Sequence, residues 1–426
     1  MYKRISGTKD ILPAEVWWWQ KIEETSRHYF SIYNYKEIRP PLIEEAVLFN
    51  RSLGETTEIV QKQMFLIKKE KDTYALRPEG TASIVRAYLE NNLDKKDGFI
   101  KLFYIGPMFR GERPQKGRLR QFYHIGCEAI GSEDAFLDAE VISLADTLLA
   151  AYAIDGYKIQ MNSLGCQKDK KELIRILHQA LEPNLSKLCD DCRIRFKHNI
   201  LRILDCKDDS CREVIKKLEI KDTYLCTDCQ EHFTKVKEGL EALNIEYEIT
   251  PHLARGLDYY TRTVFEITHK DLGSQDALGA GGRYDNLISD LGGPKVGAIG
   301  FALGIERLFL VSSSKYPVLS KNLVYIITLG EEAKSQGLKL LYELRKSGIN
   351  SDTDYEGKTL KGAMRKANDL NARYVLIIGE DEIRKKSVTL KDMVSGEQGE
   401  VGSGNLINEL TKQLANPRTK QGYKLC

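Results

Sequence analysis

Two apolar runs, residues 99–110 and 119–130, constrain the fold of this chain more than any other feature. Each has the length of a strand, and the polar loop 111–118 between them is short, so the two are expected to pair as neighbours. Each also carries a charge that an apolar strand tolerates only when it is partnered: Arg110 in the first and Glu128 in the second. Period-two alternation puts Arg120, His124 and Glu128 on one face of the second run. Such a face is either the lining of a pocket or a buried, satisfied ion pair. Leu137, Val141, Leu144, Leu148 and Tyr152 follow at helical spacing within 134–152, which makes that segment a helix packed on the sheet.

The remaining patterns extend this α+β arrangement. Pro13 opens a helix over 14–33, because the N–H it lacks would be unpaired in a first turn anyway. Residues 35–50, with Pro40 and Pro41, read as an edge segment followed by a short helix. Met64–Lys68 and Thr73–Arg77 read as two strands around a charged turn, and strand signals return at 263–269 and 296–303. Residues 165–250 differ: they are helical in pattern, rich in Lys and Asp, and hold seven of the nine Cys, which marks an insertion. After a linker at 312–317, strands and helices alternate from Leu323 to Gly379, as in a small α/β domain. The chain therefore divides into a core of 1–164 and 251–320, an insertion of 165–250, and a tail domain of 321–426.

Composition narrows the partners only slightly. The 64 Lys+Arg and 61 Asp+Glu leave +3, which neither demands nor excludes nucleic acid, since partners meet patches rather than sums. No apolar run approaches the ~20 residues of a membrane helix, so no membrane span is expected. The first residues lack an apolar export core, and the odd number of Cys favours reduced thiols, so a cytoplasmic protein is expected.

The chain contains no P-loop, and Gly279-Ala280-Gly281-Gly282 lacks the third glycine of a dinucleotide fingerprint. A bound phosphate must be held by side chains, and arginine forks suit its oxygens best. Four segments stand out. Phe109-Arg110-Gly111-Glu112 leads into a loop whose residues 109–124 carry five cations and one anion. Leu76-Arg77-Pro78-Glu79-Gly80-Thr81 reads most simply as a strand end and helix start with Thr81 as cap. Arg255-Gly256-Leu257-Asp258-Tyr259-Tyr260 mixes charge and aromatic rings in a loop. Gly300 to Arg307 reads as a glycine-kinked strand entering a helix, with Glu306 and Arg307 in solvent.

Together these segments resemble the bacterial-type histidyl-tRNA synthetases along the whole chain. The Phe109–Arg118 loop resembles motif 2 of the class II aminoacyl-tRNA synthetases, and Gly304-Ile305-Glu306-Arg307 resembles motif 3. The strand around Pro41 resembles motif 1, which in that class builds a dimer interface. Arg255–Tyr260 and Ala280-Gly281-Gly282-Arg283-Tyr284-Asp285 resemble the two segments peculiar to the histidine enzyme.

The resemblance implies an antiparallel-sheet class II catalytic core with a helical insertion near the acceptor stem and a C-terminal α/β anticodon-binding domain. It implies a cytoplasmic homodimer joining histidine, through ATP, to tRNA(His). Arg110 and Arg255 would be catalytic at the α-phosphate, with Arg255 taking work that a metal ion does elsewhere. Arg110, Glu112 and Arg307 would bind ATP, accompanied by Mg2+. Glu79, Gly80, Thr81, His124, Glu128, Tyr259, Tyr260 and Tyr284 would bind histidine, and Arg118 and Arg120 would contact the acceptor end. A site that hydrogen-bonds both imidazole nitrogens rejects analogues lacking them by roughly 10⁴–10⁵-fold, so no editing domain is needed. His124 departs from the family, which has Gln there, so its role is open. His124-Ile125-Gly126-Cys127 superficially resembles a class I signature, but no Lys-Met-Ser-Lys-Ser follows.

Cys189-x-x-Cys192 and Cys226-x-x-Cys229 are candidate ligands of one structural zinc, with plain reduced thiols as the alternative. Competing functions are a regulatory subunit of ATP phosphoribosyltransferase, a class II synthetase for another amino acid, and a non-enzymatic RNA-binding protein. The arginine set, the tail domain and the segments at 255–260 and 280–285 argue against all three.

Overall fold

A computed structural model describes residues 2–55, 57–96, 98–206, 208–220, 222–254, 256–273, 276–312 and 322–415. Arg255 and the linker from Ser313 onward lie outside the described residues. The chain forms two compact units, Met1–Lys315 and Tyr316–Cys426. In the first unit the strands are β1 (Lys36–Glu37), β2 (Ile43–Glu45), β3 (Phe65–Lys69), β4 (Asp72–Leu76), β5 (Ile100–Phe109), β6 (Gln121–Ile130), β7 (Tyr157–Ser163), β8 (Glu248–Ile249), β9 (Thr261–His269), β10 (Ala277–Arg283) and β11 (Ala298–Gly304).

Eight of these make one sheet in the order β1-β5-β6-β11-β10-β9-β7-β8. Its six central strands are antiparallel, while the edge strands β1 and β8 pair in parallel. The two apolar runs form the β5–β6 hairpin, in register from Ile100 opposite Ile130 to Phe109 opposite Gln121. Helix Pro13–Ile32 packs against it, with Phe30 stacked on Phe103 at 4.5 Å. Helix Ala135–Ala151 starts where the Asp134 carboxylate accepts from Phe136 N at 2.8 Å, satisfying one orphan donor of the first turn. Its buried face runs through Leu137, Val141, Leu144 and Leu148, as its spacing predicts.

The glycine-rich segment at 279–282, for which sequence offered no strand signal, is part of a central strand. Its glycines let strands approach closely: a Cβ on Gly281 would lie 2.3 Å from the Gly300 carbonyl. β2, β4 and β3 form a separate small sheet, which leaves Leu42, Ile43, Val47, Leu66 and Ile67 exposed. Between β7 and β8, Gln167–Ala242 is helical and belongs to the first compact unit.

The second unit adds β12 (Val324–Thr328), β13 (Ser351–Thr353), β14 (Tyr374–Ile378), β15 (Ser387–Asp392) and β16 (Gln398–Gly402), in the order β13-β12-β14-β15-β16. Strand alternation splits its core in two. Val324, Ile326 and Leu376 meet Leu341 and Leu344 of helix Glu331–Lys346 on one face. Tyr325, Ile327 and Val375 meet Ala363 and Ala367 of helix Leu360–Asp369 on the other.

Candidate active site

A cleft of about 840 Å³ opens over the sheet, and most of the expected residues converge on it. Glu79, Gly80, Thr81, Arg110, Glu112, Arg118, His124, Tyr259, Tyr260, Tyr284 and Arg307 line it. Glu128 is buried behind two of these residues, Thr81 and Tyr284, as a floor beneath the cleft lining. One carboxylate oxygen accepts from the Thr81 hydroxyl at 2.7 Å and the other from the Tyr284 hydroxyl at 2.6 Å. Burial pushes the Glu128 carboxyl up to about 8, against the pull of those two hydroxyls. Its position requires a glycine on the next strand. Gly300 sits opposite Glu128 in the β6–β11 register, and a Cβ there would fall 1.9 Å from the carboxylate. Gly80 and Gly126 likewise admit the Tyr104 ring, which would be 2.3 and 2.4 Å from their Cβ atoms.

Tyr284 is held by its neighbours. Arg283 is fully buried and donates to Asp138 at 2.7 Å, Asp285 at 3.1 Å, and the carbonyls of Ser132 and Asp134. The Tyr259 ring packs between Tyr260 and Tyr284 at 4.7 and 5.8 Å. Glu79, not Thr81, caps helix Thr81–Glu90: its carboxylate accepts from Thr81 N at 2.6 Å and Ala82 N at 2.9 Å. Thr81 is thereby freed to face Glu128. Burial raises the Glu79 carboxyl.

The other end of the cleft is cationic. Arg110 donates to the Pro78 carbonyl at 2.9 Å and lies over the Phe122 ring at 5.3 Å. Arg110 and Arg118 share the Glu112 carboxylate at 3.9 and 3.0 Å. Arg307 donates to the Ala277 carbonyl, and burial, with Arg118 close by, lowers its guanidinium to about 10. Glu306 is not solvated as the simple reading had it. Its carboxylate accepts from Tyr123 N at 3.0 Å and is pushed up to about 7 by burial.

His124 lines the cleft between these ends, with Nδ1 buried and unpartnered. Burial first, then Arg110, Arg77 and Arg307, lowers it to about 3, so the ring is neutral at physiological pH. Arg120 does not join it. It precedes the strand, and its guanidinium donates to the carbonyls of Glu112 and Ser6. Strand alternation fails there because residue 120 is not yet in the pleat.

The loop after Arg255 is gripped by the insertion. Arg202 donates to the Gly256 carbonyl, Asn199 Nδ2 to the Asp258 carboxylate at 2.9 and 3.1 Å, and Lys170 Nζ to the Asp258 carbonyl at 2.8 Å. Lys170, Asn199 and Arg202, with Tyr104, were not singled out from sequence, and Arg77 stood out only as part of a strand end. Arg77 ties the proline pair to the hairpin, donating to the Pro40 and Pro107 carbonyls at 2.9 Å each. The expected zinc ligands also regroup: Cys189 and Cys192 lie with Cys206 and Cys211, whereas Cys226 and Cys229 lie with Cys166 and Asp169. The two knuckles therefore do not share one site; each found its partners in cysteines or carboxylates at other spacings.

An antiparallel sheet, a motif 2 hairpin with its arginine and a motif 3 strand–helix unit together define a class II aminoacyl-tRNA synthetase core. The family model described as "Histidyl-tRNA synthetase" matches residues 7–308, and that described as "Anticodon binding domain" matches 323–413. A histidine–tRNA ligase of Halothermothrix orenii is 47% identical over 95% of this chain and 98% of its own length. One from Thermotoga petrophila is 44% identical over 97% and 99%. The crystal structure of apo S. aureus histidyl-tRNA synthetase superposes with a TM-score of 0.80 at 34% identity, covering 96% of this chain and all of that one. The chain belongs to the histidyl-tRNA synthetase family.

Proposed function

We infer that this chain is a histidine–tRNA ligase. The observation that carries this reading is a single cleft joining a buried carboxylate, Glu128 between two hydroxyls, to a cationic end bearing Arg110, Arg118 and Arg307. Glu128 suits the imidazole as acceptor, while Tyr260 and the neutral His124 offer further polar atoms to the ring. Glu79 is the anion for the substrate α-ammonium, helped by the Thr81 side of the helix start and by Gly80, whose missing side chain keeps the approach open. Tyr259 and Tyr284 wall the ring in.

In the first step a histidine carboxylate oxygen attacks the α-phosphorus of ATP in line. A P–O bond forms to give the adenylate, and the bond to pyrophosphate breaks. No proton need move, so the protein's work is positioning and charge stabilisation. Arg110 takes the α-phosphate oxygens and Arg307 the γ-phosphate, and Arg255 is assigned to the α-phosphate in the transition state by its match to the family's segment. Glu112 holds the nucleotide side of the motif 2 loop. A hard cation such as Mg2+ would take oxygen ligands from the phosphates, with the carboxylates of Glu112 and Glu266 in the cleft lining as the protein groups that would hold it, and it would supply counter-charge to the pyrophosphate. In the second step a terminal ribose hydroxyl of tRNA(His) attacks the adenylate carbonyl and releases AMP. Arg118 and Arg120 are the candidates for contact with the acceptor end, and the α/β unit at 321–426 for the anticodon.

The tripartite division belongs to this reading: core 1–164 and 251–320, insertion 165–250, tail 321–426. So does a cytoplasmic homodimer, for which the exposed Leu42, Ile43, Val47, Leu66 and Ile67 beside the proline pair supply an apolar face. The test is pyrophosphate exchange into ATP. Exchange dependent on histidine supports the reading; none with histidine, or equal exchange with another amino acid, overturns it. Arg255→Ala should depress adenylate formation far more than histidine binding.

A further inference from the structure

Four cysteine sulfurs from separate turns of the insertion come together within 4.8 Å of one another: Cys189, Cys192, Cys206 and Cys211. We propose that they hold one structural zinc ion as a tetrathiolate. A tetrahedral site with Zn–S of ~2.3 Å separates its sulfurs by ~3.8 Å, and Cys189 and Cys206 stand 3.9 Å apart. All four are free thiols, three of them buried, and Cys189 and Cys206 border the cleft.

Local structure aims them. Cys189 is the N-cap and Cys192 the third residue of helix Asp190–His198, a spacing that turns both sulfurs to one side of its first turn. Asp208 caps helix Asp209–Lys216 and fixes Cys211 by accepting its backbone N–H at 3.3 Å. The surroundings suit the excess negative charge of a zinc tetrathiolate. The backbone N–H of Cys189 donates to the Cys211 sulfur at 3.2 Å, and an Arg195 Nη lies 3.9 Å from the Cys192 sulfur. The helices and turns here are 4 to 9 residues long, too short to persist on their own, and a metal is the usual staple for such a region.

The second group, Cys166, Asp169, Cys226 and Cys229, is different. The two Asp169 oxygens each accept a backbone N–H, from Cys166 and Cys226 at 3.2 and 3.1 Å, so the carboxylate already serves as a helix cap. The metal is assigned to the four-sulfur group alone. Its place gives it a consequence: the turn between Cys192 and Cys206 carries Asn199 and Arg202, which grip the Gly256–Asp258 loop at the cleft. The zinc thus anchors one wall of the site.

Metal analysis of the purified full-length protein tests this. Wild type is expected to carry one tightly held zinc that Cys206→Ser loses and Cys226→Ser keeps. Below ~0.3 zinc per chain in wild type, or loss in Cys226→Ser but not in Cys206→Ser, overturns it. As a check independent of how Cys206→Ser folds, wild type is also loaded with Co2+. Intense tetrahedral thiolate bands are expected, and a weak octahedral spectrum contradicts the site.

Discussion

The two ends of the cleft are built on opposite principles. At the floor, Glu128 is fully enclosed and both its oxygens are taken by hydroxyls at 2.7 and 2.6 Å. At the other end, guanidiniums are held from behind by backbone carbonyls, as Arg110 is by Pro78 and Arg307 by Ala277. Both side chains line the cleft. The floor is satisfied and must exchange partners to take a ligand, which favours discrimination. On the proposed function, the arginine end serves anionic charge that arrives with the substrate and shifts during reaction, which favours rate.

The contrast can be broken from either end. Arg110→Ala should have the largest effect, lowering kcat for adenylate formation by about 10²–10³-fold with little change in histidine affinity. Stopped-flow or exchange kinetics check this. Glu128→Gln should do the reverse, raising the KM for histidine by about 10–100-fold while the KM for ATP stays near wild type, because one of its two acceptor oxygens becomes an amide nitrogen that can only donate. Gly300→Ala drives a methyl into Glu128 and should cost about 1–3 kcal/mol of stability, read by denaturant titration, together with weakened histidine binding.

A smaller effect sharpens the account of the floor. The Glu128 carboxyl sits at about 8 in the fold against an ordinary carboxylate value near ~4.3 in the unfolded chain. Between those values the native state keeps a proton that the unfolded chain has released, so this group's contribution to stability falls as pH rises and levels off above its folded value. The stability of wild type relative to Glu128→Gln should therefore decline from about pH 5 to about pH 8. A difference independent of pH would show that the carboxylate is not held protonated.

Much of the floor was legible in sequence, because a charge inside an apolar strand needs a reason. Glu128 and Arg110 announced themselves that way, and the period of two put His124 beside Glu128. The same rule misplaced Arg120, since alternation holds only once the strand has begun. The glycine strand β10 was hidden because its residues have no strand propensity, and only packing against Gly300 and Phe265 explains them. The Arg283–Asp138 pair and the grip of Asn199 and Arg202 on the 256–258 loop join residues distant in the chain. No local pattern carries such contacts. Cysteine spacing showed two knuckles but not their partners, because Cys206-x₄-Cys211 and Cys166-x-x-Asp169 follow other spacings.

The most direct measurement is histidine-dependent pyrophosphate exchange on wild type, Arg110→Ala and Glu128→Gln, with kcat and the KM for histidine resolved. The expected result is exchange with histidine alone, a kcat defect confined to Arg110→Ala and a KM defect confined to Glu128→Gln. Exchange in wild type with no preference for histidine, or the same parameter lost in both variants, would contradict a cleft divided between recognition and charge stabilisation.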